Sequence, residues 1–259
     1  MPIKNAKIFI TGQTTYQMLI SRIEENMIDW SPPKRPAVYA EKSLILAILN
    51  DVYPPGSILP AERELAEKLG ITRPTLRETL QRLERDGWLT IQQGKSTRVN
   101  DYRKEGGLNV LNALVQYSER LPSNFVPNLL QVRLVLAPAY TRQAVENSPS
   151  QVIEYLKDYL SLEDYPEEYA SFDWRLHHTL TIASGNQIFT LILNGFAGFY
   201  ENMACIYFMQ VDARQASLEF YRSLYEATKL NDANAAENIT LRMMTESIML
   251  WESQSGERP

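Results

Sequence analysis

Two short amphipathic stretches, "LPAERELAEKLG" and "TRPTLRETLQRLERDG", are separated by little more than Gly70-Ile71. A turn that short leaves few ways to place two helices, and they must bury their apolar stripes against a common neighbour. The first reads as a helix with Pro60 in its opening turn and Glu62 and Glu64 at the positive end of its dipole. Gly70 ends it, Thr72 is placed to cap the next helix, and Gly87 stops that one after Asp86. Upstream, "AVYAEKSLILAILNDV" has helical apolar spacing and halts at Pro54-Pro55-Gly56. Downstream, "WLTI" and "TRV" read as two short strands joined by "QQGKS". Three helices with a tight turn and a hairpin make a winged helix-turn-helix over residues 35–101.

The rest of the chain supports a second domain. Residues 102–107 are polar, end in glycine and read as a linker. Residues 108–252 carry long amphipathic runs with breaks at Pro122, Pro127, Ser148-Pro149, Pro166, Gly185 and Asn231-Asp232. They predict an all-helical bundle of six or seven helices, so the expected fold is mainly α. Residues 1–34 read as an extension, either a further helix or a loose arm, and residues 253–259 as a frayed tail. The start has no signal-peptide pattern and no run is apolar enough to span a bilayer. With a single cysteine, Cys205, the chain fits a reducing cytoplasm.

Charge is unevenly spread. The whole chain is acidic, with 31 acidic and 26 basic residues, yet Ile71–Asn100 holds six basic and three acidic ones. Leu108 to the end holds ten basic and eighteen acidic. On the third helix Leu76, Leu80 and Leu83 form one buried stripe, while Arg73 and Arg77, four apart, stack on another face with Thr72 and Thr75 near the helix start. That end suits base edges and phosphates in a major groove. Arg63 on the preceding helix, and Gln93, Gly94 and Lys95 at the hairpin tip, extend the same surface.

In the second half, Asp173 and His177 are four apart and could begin a metal site or serve as ordinary core groups. Only His178, pointing elsewhere, adds a histidine, which favours the core reading. No nucleophile elbow and no phosphate loop is present, so an enzyme and a bound cofactor are not expected. Aromatic residues crowd the last helices, among them Phe189, Phe196, Tyr200, Tyr207, Tyr221 and Trp251, and suit either a core or an apolar pocket.

The run "YPPGSILPAERELAEKLGITRPTLRETLQRLERDGWLTIQQGK" resembles the N-terminal domain of the GntR family of bacterial transcription regulators. "GLNVLNAL", "NLLQVR", "ASGNQIFTLILNGFAGFY" and "FYRSLYEATK" resemble its fatty-acid-responsive branch, FadR. The resemblance implies a homodimer on a duplex operator, repression and activation of fatty-acid genes, and long-chain acyl-CoA as the effector that releases DNA. By position it places DNA contacts on Arg63, Thr72, Arg73, Thr75, Arg77, Gln93, Gly94 and Lys95. It places the effector on Arg133, Tyr200, Tyr207, Glu246, Ser247 and Trp251. Pro74, Gln93 and Met244 stand where that branch has threonine, histidine and glycine. Those departures leave two other readings open: a regulator sensing a different small acid, or an acyl-CoA-binding protein without an operator.

Overall fold

The computed structural model describes residues 35–118 and 121–255. The extension expected over residues 1–34 and the last residues of the tail lie outside the described residues.

Three helices open the described chain: α1 (Pro36–Leu49), α2 (Glu62–Leu69) and α3 (Arg73–Arg85). Strands β1 (Leu89–Thr90) and β2 (Arg98–Val99) follow, antiparallel, with Leu89 opposite Val99 and Thr90 opposite Arg98. This is the expected winged helix, and its punctuation is the expected chemistry. Gly70 takes φ +65°, a conformation that side-chain-bearing residues rarely adopt, and its amide closes α2. Thr72 caps α3 by accepting the Thr75 N–H at 3.3 Å. Leu76, Leu80 and Leu83 join Leu44, Ile48, Leu65, Trp88 and Val99 in one apolar core.

One element differs from expectation. Helix α2 begins at Glu62, not at Pro60. Leu59 donates its amide to the Thr97 carbonyl at 2.9 Å and Ile58 bridges Arg98, so the segment before α2 is spent lining the wing and stays extended.

Within the linker, Asp101 caps a single turn, α4 (Tyr102–Glu105), before Gly106-Gly107 and α5 (Asn109–Tyr117). Helix α5 is shared. Val110 and Ala113 sit in the winged-helix core, while Leu111 and Val115 pack on Leu193, Phe196, Phe199 and Tyr200. Its polar groups tie both sides. Asn109 Nδ2 donates to Asp86 Oδ1 at 2.9 Å, and Asn112 Nδ2 donates to the Gly195 carbonyl at 3.3 Å. The approach is close because residue 198 is glycine: a Cβ there would lie 2.3 Å from Asn112 Oδ1.

The bundle comprises α6 (Phe125–Asn147), α7 (Pro149–Leu156) with a 3-10 turn at Lys157–Ser161, α8 (Pro166–Ala183), α9 (Gln187–Asn194), α10 (Ala197–Phe208), α11 (Val211–Lys229) and α12 (Ala233–Ser255). From residue 108 onward the described residues therefore hold eight α-helices rather than six or seven. Pro127 does not interrupt the chain: it lies in the first turn of α6, where an amide lacks an intrahelical partner anyway. The extra breaks fall at Gly195-Phe196 and Met209-Gln210; at the second, buried Arg214 donates to the Phe208 carbonyl at 2.6 Å, closing α10 before α11. Helix α6 packs on α12 and α8, and α8 packs on α10.

Candidate functional site

Two regions bring candidate residues together. The first is the exposed end of the winged helix. Arg73 opens α3, Arg63 lies on α2, and both are exposed without an ion-pair partner among the described residues. The Thr72 and Thr75 hydroxyls are 2.8 Å apart, so one already donates to the other. Arg77 is exposed, as the Leu76-Leu80-Leu83 stripe requires, but it is not free: its Nε donates to Glu62 Oε2 at 2.7 Å. Gln93, Gly94 and Lys95 form the wing tip, all exposed, where the Lys95 amide closes a turn on the Gln92 carbonyl at 3.0 Å. Gly94 takes φ +73°, and a Cβ there would meet nothing within 4 Å; its conformation, not crowding, calls for glycine. Pro74 is exposed in the first turn of α3 between the two arginines.

The second region is a buried polar cluster between α6, α8, α10 and α11. Arg133 Nη2 donates to Asp173 Oδ2 at 3.0 Å and meets His177 Nε2 at 2.8 Å. Guanidinium only donates, so Nε2 must accept and the imidazole is neutral, with its proton on Nδ1 and directed at Tyr140 Oη, 2.7 Å away. Tyr200 and Tyr221 donate to the two Asp173 oxygens at 2.6 Å and 3.2 Å. Burial alone would raise the Asp173 pKa, but the charges of His177 and Arg133 and the two phenolic hydrogen bonds outweigh it and hold the carboxyl below its ordinary range. His177 lends that help only when protonated, and burial lowers its own pKa to about 4, against the pull of Asp173. At neutral pH the carboxylate is therefore held by Arg133 and the tyrosines. Burial likewise pushes the Tyr140 phenol up.

Asp173 and His177, the pair that could have begun a metal site, are thus bridged by a guanidinium that occupies the imidazole lone pair. Among the described residues no three His, Cys, Asp or Glu side chains are grouped to hold a metal.

Beside this cluster lies an apolar cleft of about 420 Å³, counted out to its open mouth. Arg133, Tyr140, Leu136, Phe189, Phe196 and Tyr200 are among its lining residues. The space it encloses is about 30 Å³, against about 300–1,000 Å³ for a small-molecule pocket, so a ligand of that size needs the cleft to open.

Residues 37–99 match the model of the gntR family of bacterial regulatory proteins, and residues 100–259 match the FadR C-terminal domain. The chain belongs to the GntR family, with a FadR-type second domain. A fatty acid metabolism regulator protein of Shewanella pealeana is 42% identical over 226 residues, 87% of this chain and 95% of its own. Another from Shewanella sp. MR-4 is 48% identical over 191 residues, 74% of this chain and 79% of its own. Among solved structures, Lar, described as controlling expression of the Listeria monocytogenes agr system, covers 83% of this chain and 95% of its own with a TM-score of 0.56. At 16% identity that likeness concerns the fold alone.

The six expected effector residues of the FadR-type domain lie on α6, α10 and α12, and Tyr207 is near enough to Arg133 and Glu246 to feel both charges. Arg133 and Tyr200 line the cleft. Tyr207 and Ser247 are buried and bonded to each other at 3.4 Å. Trp251 is half-buried against the main core, and Glu246 is exposed on α12. Met244 is buried in that core. Sequence reasoning missed Tyr140 and the partnership of Arg133 with Asp173. A signal existed: Arg133 is the lone charge in "VRLVLAPAY", and Tyr140 follows seven residues later on the same helical face. Among the described residues no helix is long and apolar enough to cross a membrane.

Proposed function

We propose that this GntR-family chain is a cytoplasmic, homodimeric DNA-binding regulator of fatty acid metabolism whose hold on its operator is relieved by long-chain acyl-CoA. The observation that carries the DNA half is the set of exposed cations without carboxylate partners, Arg63, Arg73 and Lys95, at one end of an otherwise acidic chain. The observation behind the effector half is the apolar lining of the cleft beside the half-buried Arg133 guanidinium, which suits an aliphatic chain once the cleft opens. Helix α5, packed on both the winged-helix core and the wall of that cleft, is the element through which filling the cleft reaches the DNA-binding face.

The test is a titration of the protein bound to a duplex selected from a random pool. Palmitoyl-CoA is expected to dissociate the complex, whereas coenzyme A alone is expected to leave it intact. Release by a short carboxylic acid but not by the acyl-CoA would replace the proposed effector with a smaller acid, a reading that the small enclosed space of the cleft favours.

Side chains at the DNA face are expected to divide by role. Arg73→Ala loses about 1–3 kcal/mol of discrimination between the selected duplex and one with a changed base pair, as expected for a base contact. Lys95→Ala weakens all duplexes evenly and flattens the salt dependence, as expected for a phosphate contact. Equilibrium binding to the selected duplex and its single-base variants checks both.

A further inference from the structure

A carboxylate on a DNA-binding face repels phosphate, yet Glu62 sits on this one, in contact with Arg77. The pair joins two helices, the first residue of α2 to the fifth of α3, and both side chains stay open to solvent, Arg77 by 60% and Glu62 by 36%. As a stabiliser of the fold such an exposed pair adds little. Its geometry is more informative. Only the Arg77 Nε is used, at 2.7 Å. The two terminal nitrogens have no hydrogen-bond partner among the described residues, and they form the end-on edge of a rigid planar fork. A guanidinium anchored through Nε has lost rotation about its last bonds and presents the Nη1–Nη2 edge, which matches the two acceptors of a guanine in the major groove. Arg73, by contrast, has no anchor.

We propose that Glu62 is a positioning residue for DNA reading: it fixes Arg77 so that its terminal edge contacts one base pair in each half-site. The inference rests on the DNA-binding reading above. It distinguishes itself from a mere surface ion pair through Glu64, which lies in the same first turn of α2, is exposed, and has no ion-pair partner among the described residues. Removing either charge changes the field at the duplex alike; only Glu62 holds Arg77.

The experiment selects a duplex from a random pool with the full-length wild-type protein, then measures wild type, E62Q, E64Q and R77A against all single base-pair variants of it. R77A is expected to abolish discrimination at one position of each half-site, about tenfold or more. E62Q is expected to lose discrimination several-fold at that same position and nowhere else. E64Q is expected to keep the wild-type profile while binding every duplex slightly more tightly. If E62Q behaves as E64Q does, or if R77A changes no single position, the inference is overturned while the DNA-binding reading stands. If the wild-type protein enriches no duplex, both fall.

Discussion

Asp173→Asn is expected to lower the unfolding free energy by about 3–5 kcal/mol, the usual consequence of removing one partner from a buried ion pair. The substitution hardly changes shape, so little of the loss comes from a cavity. What it removes is the charge facing Arg133 and one of the two oxygens that accept from Arg133, Tyr200 and Tyr221. Turned towards Arg133, the new amide nitrogen would set donor against donor; turned away, it would still leave the guanidinium without a charged partner, with neutral His177 beside it. Urea unfolding with an unchanged slope would report this as a lower midpoint. Replacing both members, Arg133→Leu with Asp173→Leu, is expected to recover part of the loss, because no uncompensated charge remains. A midpoint for Asp173→Asn within experimental error of wild type would mean that the pair is solvated and that the cluster is not the closed network described.

The second large effect is acid sensitivity. His177 is held neutral in the fold, its pKa lowered by burial from 6.5 to about 4. Above pH 6.5 neither state binds a proton there, and the full stability is present. As pH falls from 6.5 towards 4 the unfolded chain takes up a proton that the folded one refuses, so stability declines, by up to about 3 kcal/mol in all. Below that window the folded ring protonates too and this contribution levels off. Asp173 then adds its own loss. Its carboxyl is depressed below 3.8, so its contribution is present above that value and disappears as pH falls through the folded value. His177→Gln is expected to remove the first decline and leave the second. Melting temperature measured across pH 2–7.5 for both proteins checks it; parallel curves would show that His177 is not the group responsible.

The DNA-binding end was legible in the sequence because its determinants are local. The Leu76-Leu80-Leu83 stripe, the left-handed Gly70 and the Thr72 cap each act within one helical turn or at a helix end, and each is where periodicity and capping place it. What was not legible comes from contacts between elements. Arg77 is recognisable as an exposed arginine, but nothing within α3 says that a glutamate fifteen residues earlier will take its Nε. The extended course of Pro60 is set by the wing, through the Leu59 amide, and propensity alone points the other way. In the bundle the helical character was plain. The polar cluster was half visible, since Asp173 and His177 share a face of α8. Arg133, Tyr140, Tyr200 and Tyr221 converge on them from three other helices, and only tertiary packing makes that meeting. The pairing of Tyr207 with Ser247 has the same origin: the two are forty residues apart in the chain, and only packing brings them into contact.

Everything functional in this protein depends on whether the exposed cations of the winged helix bind a duplex. The most direct measurement is the affinity of the full-length protein for a duplex selected from a random pool, followed as a function of salt. Log affinity is expected to fall linearly with log salt, with a slope of about −2 or steeper per subunit if Arg63 and Lys95 each displace a counterion. A protein that enriches no duplex at low salt, or whose binding is indifferent to salt, would contradict that role for the cations.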